Sequence, residues 1–321
     1  MNNRPVHPTP PGGRSRRSFL ALTGTAAAGA SVLAAPASPT IGILVATTYR
    51  TGTLEERLDA AKAHGMACVQ LSMACAGLPD MPDSIPAGLP EKFGRETSAR
   101  GMELACLTGT FNMCHPDPEQ RRTGLGRLRL LAGACAPMGT RMIHICTGTR
   151  NTQSMWRHHA DNTTPEAWRD MAACIREATE IARQAGVVLA FEPEVNNIVD
   201  SALKARRLMD EIGSPHLKVT MDPANIFHTG QLPRMKEILD EAFEVLGKDI
   251  VVAHAKDLDR DGDAGHLAAG HGLLDYDRYL SLLRAHRFTG PLLLHGLTVE
   301  QVPGCMAFLR AKLAAIRPAA G

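Results

Sequence analysis

The chain has 321 residues, with 35 basic and 33 acidic side chains and a formal charge of +2. Residues 1–37 contain four of the arginines and no acidic residue, so the remaining chain carries a formal charge of −2. A nearly neutral body lacks the basic surface that sequence-independent nucleic-acid binding requires. No Pro/Gly/Ser-rich linker divides residues 38–321, and their number suits one large domain with a substantial core.

Residues 1–37 have the pattern of an export signal. Paired arginines, Arg16 and Arg17, precede an Ala-rich apolar stretch, and residues 35–37 (Ala-Pro-Ala) offer a small-residue cleavage site. The apolar stretch is shorter than the roughly 20 residues that a membrane span needs. The segment resembles a twin-arginine signal, which implies a periplasmic or secreted protein with no stable membrane span in its mature form.

Strand and helix patterns alternate along residues 38–321. Short apolar runs predict strands at 40–46, 66–72, 102–108, 140–146, 187–192, 217–222, 250–255 and 290–295. Amphipathic segments predict helices at 54–64, 90–100, 118–136, 165–185, 201–212, 232–246, 276–286 and 302–316. Eight strand–helix units predict a (β/α)8 TIM barrel, an α/β fold. The competing doubly wound sheet lacks support, because no G-x-G-x-x-G motif follows the first strand.

Four apolar runs within the predicted strands end in a side chain that can bind a metal: Glu192, Asp222, His254 and His295. The C-terminal ends of TIM-barrel strands meet at one mouth, where such barrels carry their active sites. One such residue alone would be read as a hydrogen-bonded loop anchor, but four at matching positions favour a shared site. Carboxylate and imidazole ligands suit one divalent ion, Mn²⁺, Mg²⁺, Co²⁺ or Zn²⁺.

The segments after strands five to eight contain motifs at family-specific spacing. They are Phe191-Glu192-Pro193-Glu194, Met221-Asp222-Pro223-Ala224-Asn225, Ala253-His254-Ala255-Lys256-Asp257, Gly270-His271-Gly272 with Leu274-Asp275-Tyr276, and Gly290-Pro291-Leu292. With these motifs, residues 38–321 resemble the sugar phosphate isomerase/epimerase family, the xylose isomerase-like TIM barrels that also include endonuclease IV-type enzymes.

The resemblance implies that Glu192, Asp222 and His254 are metal ligands. In the isomerases and epimerases of the family, a Glu at the end of strand eight binds the metal and also acts as a base. His295 takes that position here. An imidazole nitrogen bound to a metal has no lone pair left for a proton, so His295 can be a ligand or a base but not both at once.

Further side chains near these motifs are candidates for catalysis and substrate binding. The predicted catalytic residues are Glu192, His295 and Lys256, with Glu194 as another candidate base, and the predicted substrate contacts are Trp156, His158, Glu194, Asn225 and Asp257. A Trp beside basic and amide side chains suits a carbohydrate, although Trp156 could equally anchor its loop on the barrel rim. His144, inside strand four, is expected to be a core histidine with satisfied hydrogen bonds.

The eight cysteines form no C-x-x-C pair, and several lie inside apolar runs. An exported protein can form disulfides, but these positions favour buried, reduced thiols that pack as small apolar side chains.

The predicted site favours a metal-dependent isomerase or epimerase that acts on a sugar or keto-sugar through an enediolate. Loss of a β-substituent from the same intermediate would instead make the enzyme a lyase or dehydratase acting on a keto-sugar or keto-glycoside. A third alternative is a non-catalytic sugar-binding barrel whose metal site has decayed. A multi-zinc endonuclease should have more His, Asp and Glu at its strand ends. The expected partner is a small carbohydrate, and a homo-oligomer is left open.

Overall fold

Eight parallel strands close into a barrel in the computed structural model, which describes residues 38–316. The barrel strands are Thr40–Leu44 (β1), Cys68–Leu71 (β2), Glu103–Thr108 (β3), Met142–Cys146 (β4), Val188–Glu192 (β5), Leu217–Met221 (β6), Ile250–Asp257 (β7) and Pro291–Leu294 (β9). Each pairs with its neighbour in chain order, and β9 pairs with both β7 and β1 to complete the ring. The predicted TIM barrel is confirmed. The predicted signal segment, 1–37, lies outside the described residues.

Helices connect the strands around the outside of the barrel. They are Val45–Thr48 (α1), Leu54–Ala63 (α2), Leu89–Ala99 (α3), Pro118–Met138 (α4), Pro165–Ala185 (α5), Ala202–Ile212 (α6), Met235–Leu246 (α7), Tyr276–Ala285 (α8) and Val302–Ala315 (α9). The α5 boundaries show why the helix limits could be predicted. Thr164 caps the first turn by accepting from the Ala167 amide, Pro165 is the first helical residue, and Gly186 ends the helix at φ +67°. No helix between residues 38 and 316 combines the length and apolarity of a membrane span.

Small and apolar side chains fill the barrel interior below the C-terminal mouth. They are Cys68, Ala105, Cys106, Ala190, Val252 and Leu293. Packing there is tight, because a Cβ atom added to Gly42 would lie 2.4 Å from the carbonyl oxygen of Cys68. All eight cysteines are buried and free, as the sequence predicts. The mouth therefore has a closed apolar floor.

The alternation of side chains along each strand determines what stands above this floor. Ala190, Val252 and Leu293 point into the barrel, so the residues two positions later, Glu192, His254 and His295, point into its mouth.

One feature at this end of the barrel has no counterpart among the predicted elements. A short strand, Leu267–Ala268 (β8), pairs antiparallel with the end of β7.

Candidate active site

Glu192, Asp222 and His254 converge at the C-terminal mouth of the barrel. The His254 Nδ1 atom lies 3.4 Å from Glu192 Oε2 and 3.5 Å from Asp222 Oδ2. All three side chains are buried. Ligands of one first-row ion have bonds near 2 Å, so ligand atoms this close together can share an ion.

His295 follows β9 and approaches the same group of atoms. Its Nδ1 atom lies 3.7 Å from Asp222 Oδ2, and its ring centroid lies 5.1 Å from that of His254 in an edge-on arrangement. The side chain is about 25% exposed and lines the cavity above the barrel, so the ring remains accessible. Its Nδ1 edge faces Asp222, and Glu192, Asp222, His254 and His295 together are called the ligand cluster.

Unsatisfied polar atoms show that this cluster fits a cation. Asp222 Oδ2, both ring nitrogens of His254 and His295 Nδ1 are buried without a hydrogen-bond partner. An unsatisfied buried polar atom costs about 1–3 kcal/mol, and for Asp222 Oδ2 the Lys256 ammonium at 3.0 Å offsets part of that cost. The ligand atoms of Asp222, His254 and His295 lie within 4.8 Å of one another. A divalent ion would satisfy these atoms together, and a mixed imidazole and carboxylate set suits a first-row metal.

His144 is buried with its Nδ1 atom 3.1 Å from Thr220 Oγ1, in keeping with the predicted core histidine, and it also borders this cluster. Its Nε2 atom lies 3.4 Å from Glu192 Oε2, and its ring centroid lies 5.3 Å from that of His254. In the paired strands His144 lies opposite Ala190, so it stands on the interior face one pleat below Glu192. Burial and the imidazoles of His254 and His295 hold the pKa of His144 well below its ordinary value.

Lys256 brings a positive charge to the cluster. Its Nζ atom lies 3.0 Å from Asp222 Oδ2, in a geometry outside that of a hydrogen bond. Burial alone would raise the pKa of Asp222, but Lys256, His254 and His295 outweigh it and hold this pKa well below its ordinary value. Burial would also lower the pKa of Lys256, but the surrounding carboxylates raise it. Lys256 is therefore an ammonium ion at neutral pH.

Asn225 orients Glu192 within the cluster. Its Nδ2 atom donates a hydrogen bond to Glu192 Oε1, and its Oδ1 atom accepts one from the Gly265 amide at 3.0 Å. Burial is the largest influence on Glu192 and raises its pKa. With Oε1 held by Asn225, Oε2 is the oxygen that faces His254.

Glu194 is a buried carboxylate of the cavity wall outside the ligand cluster. The Asn196 amide donates to its Oε1 atom at 3.0 Å, and the Asn197 side chain donates to Oε2. Burial raises the pKa of Glu194 to about 7 despite these hydrogen bonds. This position therefore offers a carboxyl group that can exchange a proton near neutral pH.

A cavity of about 480 Å³ opens above the cluster. Trp156, Glu194, Asn225 and Lys256 line it, and Trp156 is 52% exposed at its edge. A second cavity of about 440 Å³ shares Thr47 and His295 with the first. Gln70 and Thr108, which form a hydrogen bond at 2.9 Å, also line the first cavity, and no motif in the sequence pointed to either residue.

Two predicted substrate contacts are placed elsewhere. His158 is exposed and is not part of the cavity wall. The buried Asp257 carboxylate accepts from the backbone amides of Leu258, Gly270 and Leu274 at 2.9, 3.0 and 2.9 Å. Since adjacent strand residues point to opposite sides, Asp257 points away from the mouth into which Lys256 points. Its role in this structure is to anchor the loop after β7.

The fold agrees with comparisons to known proteins. The family model described as a xylose isomerase-like TIM barrel matches residues 58–305. A search of curated proteins found no match.

Solved structures share the architecture at low sequence identity. The 3-keto-D-glucoside 4-epimerase YcjR from E. coli is 16% identical, with a TM-score of 0.64 over 85% of this chain and 100% of its own. The probable 3-DHS dehydratase AsbF from Bacillus anthracis is 14% identical, with a TM-score of 0.66 over 85% of this chain and 98% of its own. The IolI protein, solved with a bound zinc atom, is 16% identical, with a TM-score of 0.67 over 86% of this chain and 98% of its own. By its closed barrel and the extent of the family match, the chain belongs to the xylose isomerase-like TIM barrel family.

Proposed function

We propose that this protein is a metal-dependent isomerase or epimerase of a sugar or keto-sugar. The observation that carries the proposal is the convergence of Glu192, Asp222, His254 and His295, with four buried unsatisfied atoms, directly below an open cavity. The family match and the structural likeness to a keto-glucoside epimerase support this class of reaction. The partly exposed Trp156 at the cavity edge provides an apolar surface for the C–H groups of a sugar.

The ligand cluster would hold one divalent ion, which when bound polarises a substrate carbonyl and stabilises the charge of an enediolate. Glu194 is placed to remove the proton next to that carbonyl, since it lines the cavity and lies outside the cluster. The Lys256 ammonium, also in the cavity wall, is placed to donate to a substrate oxygen that gains negative charge. Return of the proton to the neighbouring carbon gives isomerisation, and return to the same carbon from the opposite face gives epimerisation.

Elimination is the second candidate, and the identity of residue 295 favours it. Inversion at one carbon is simplest with a carboxylate on each face of the substrate. The family resemblance implies that a Glu at the end of strand eight is the second carboxylate, but this residue is His295 here, and its Nδ1 atom faces Asp222. Glu194 as base and Lys256 as proton donor to a departing group would suffice for a lyase. Because the chain shares its fold with a probable dehydratase, elimination is one of the reactions to be tested.

The test is proton exchange in D₂O. The full chain, loaded separately with Zn²⁺, Co²⁺ or Mn²⁺, is incubated with aldoses, ketoses and 3-keto-glucosides and followed by NMR. The glucosides belong in the panel because the second cavity, adjoining at His295, offers space for a further group. Isomerisation or epimerisation predicts a new sugar with deuterium next to the carbonyl, whereas elimination predicts an unsaturated product.

A matched pair of variants ties the reaction to the site. Glu194→Gln should lower turnover by about 10²–10⁴-fold while leaving the metal bound, as expected for loss of a general base. Glu103→Gln makes the same chemical change at an exposed position at the opposite end of the barrel and should leave turnover within about twofold. Metal-loaded protein that exchanges no proton and transforms no sugar in the panel would count against the proposal.

A further inference from the structure

We propose that His144 is a fifth ligand of the metal centre, so that three imidazoles and two carboxylates surround one ion and favour Zn²⁺ or Co²⁺ over Mg²⁺ or Mn²⁺. The inference rests on the proposed function only in requiring a metal at this mouth of the barrel. It concerns a residue outside the ligand set that the family resemblance implies.

The first step is the tautomer of His144. Thr220 Oγ1 lies 3.3 Å from the carbonyl oxygen of Ala190, which can only accept, so the hydroxyl proton points there. His144 Nδ1 lies 3.1 Å from the same hydroxyl oxygen. With its proton directed to Ala190, this oxygen can only accept from His144. This arrangement puts the ring proton on Nδ1, whereas a Thr220 hydroxyl that donated to Nδ1 instead would put it on Nε2, facing Glu192.

The second step follows for the other nitrogen. A neutral imidazole with its proton on Nδ1 has a lone pair on Nε2, and this atom lies 3.4 Å from Glu192 Oε2. The ionised carboxylate oxygen is also an acceptor, so two lone pairs face each other in a buried place, where the Cys146 thiol, 4.0 Å from Nε2, is a weak donor. A cation held between them would turn this unfavourable contact into two coordination bonds. The arrangement of a donor on Nδ1 and a free lone pair on Nε2 is the usual one for a metal-binding histidine.

The five side chains are connected through His254. Glu192 Oε2 lies 3.4 Å from both His144 Nε2 and His254 Nδ1. The same nitrogen of His254 also faces Asp222 Oδ2, which faces His295 in turn. His144, Glu192 and His254 therefore form one group of potential ligands, and Asp222, His254 and His295 another, and the two groups meet at His254.

The composition of the ligand set leads to the metal preference. Imidazole ligands suit Zn²⁺ and other later first-row ions, whereas carboxylate, carbonyl and water oxygens suit Mg²⁺ and Mn²⁺. His295 supplies a nitrogen where the resemblance implies a carboxylate, and His144 adds a further nitrogen. Both nitrogens shift the metal preference of the site toward Zn²⁺ and Co²⁺.

The ligand count can be measured without a substrate. X-ray absorption at the zinc edge of the full chain, loaded with Zn²⁺ alone, should show three coordinated imidazoles, and elemental analysis should give about one ion per chain. Two imidazoles would overturn the five-ligand centre, because His144 or His295 would then be unbound. Two ions per chain would overturn the single centre. Neither result depends on whether the protein converts a sugar.

Two histidine variants test the assignment by mutation. His144→Gln should reduce the imidazole count to two and weaken Zn²⁺ binding about 10-fold or more. His216→Gln is the matched control, because His216 bonds to the carbonyl oxygen of Val187 before β5 begins, away from the mouth. It should leave both the count and the affinity unchanged. Full zinc affinity and three imidazoles in His144→Gln would overturn the proposal, and the count on the unmodified chain decides it if that variant does not fold.

The metal preference is tested by competition. The unmodified chain, equilibrated with equal concentrations of Zn²⁺ and Mn²⁺, should retain mainly Zn²⁺. His295→Glu restores an oxygen ligand and should reduce the Zn²⁺/Mn²⁺ ratio, and His144→Gln should reduce it as well. An unmodified chain that retains mainly Mn²⁺ would contradict the nitrogen-rich centre.

Discussion

The Lys256 ammonium lies 3.0 Å from Asp222 Oδ2, the same carboxylate oxygen that faces the imidazoles of His254 and His295. An ammonium group and a metal ion would therefore share one oxygen. Two cations in a buried place repel each other, so Lys256 reduces the affinity of the site for the ion beside it. The same charge, however, faces the cavity, where it can stabilise negative charge on a substrate oxygen.

Replacing Lys256 should therefore separate metal binding from turnover. Lys256→Met keeps the length of the side chain and removes its charge, so metal affinity should rise by on the order of tenfold while turnover falls. Calorimetric titration with Zn²⁺ and an activity assay measure the two effects. Lys218→Met is the control, since Lys218 pairs with Asp249 at the start of β7 and should not affect the metal. Weaker metal binding in Lys256→Met would mean that the lysine organises the ligands.

Metal removal should lower stability. Asp222, His254 and His295 have buried atoms without a hydrogen-bond partner, which is costly without a cation, and an ion that binds only the folded chain stabilises it by mass action. At a free metal concentration about 100 times Kd, the free energy of unfolding should exceed that of the chelated protein by about 2.7 kcal/mol. Urea denaturation with and without chelator measures the difference. His295→Ala should reduce the metal-dependent part, and an unchanged metal response would show that His295 is not a ligand.

Trp156 should affect substrate binding more than the chemical step. It lies at the cavity edge and is half exposed, so it can pack on a sugar without touching the ligand cluster. Trp156→Ala should raise KM about tenfold with kcat changed little, whereas Trp156→Phe should retain most of the binding. If both variants keep the original KM, the side chain only anchors its own loop.

Asp249 provides a stability prediction away from the cavity. It accepts from Lys218 Nζ at 2.6 Å and from Arg206 Nη1 at 2.9 Å. Burial would raise the pKa of Asp249, but these two cations outweigh it and lower the pKa. A lowered folded pKa gives stability that is present above the unfolded value, about 3.9, and is lost as the pH falls through the folded value.

Asp249→Asn should therefore cost about 1 kcal/mol at pH 7, and the difference from the unmodified chain should shrink below about pH 4. Urea denaturation across this pH range tests the direction of the pH dependence. Turnover measured at pH 7 tests whether Asp249 is independent of the active site. A deficit that does not change with pH would indicate a packing effect instead of the ion pairs.

Export is a prediction about residues 1–37, which the structure does not describe. If Arg16 and Arg17 form a twin-arginine signal, changing both to Lys should leave folded, uncleaved protein in the cytoplasm. Fractionation of cells that express each form, followed by mass measurement of the chain, tests this. Normal periplasmic delivery of the Lys-Lys form would mean that another route reads the segment.

The barrel and most of its ligand cluster could be predicted because their signals are local. A buried strand reads as an apolar run, and Glu192, Asp222 and His254 each interrupt such a run at its end. Alternation along the strand then fixes the side to which each residue points. The family resemblance added the order of the motifs and showed that His295 stands where the family has a Glu.

The rest depended on pairing between distant segments. His144 lies inside an apolar strand, and its nearness to Glu192 follows only from the register that places it opposite Ala190. Asp257 directly follows Lys256, yet its partners lie up to 17 residues further along the chain. Gln70 and Thr108 carry ordinary polar side chains, and only closure of the barrel brings them to the cavity. No local pattern contains this information.

The three amide contacts of Asp257 have a consequence for how this protein could be modified. Lys256 and Asp257 stand on opposite sides of one strand, so the strand provides a reactive group on its inner side and a clamp for the following loop on its outer side. The loop can then change in length and composition between residues 259 and 264, ahead of the Gly265 amide that holds Asn225 and of the β8 pairing, while its ends remain tied to a single carboxylate. Loop replacement within these limits offers a way to alter substrate preference without moving the ligands, and Asp257 is the residue that any such graft must retain.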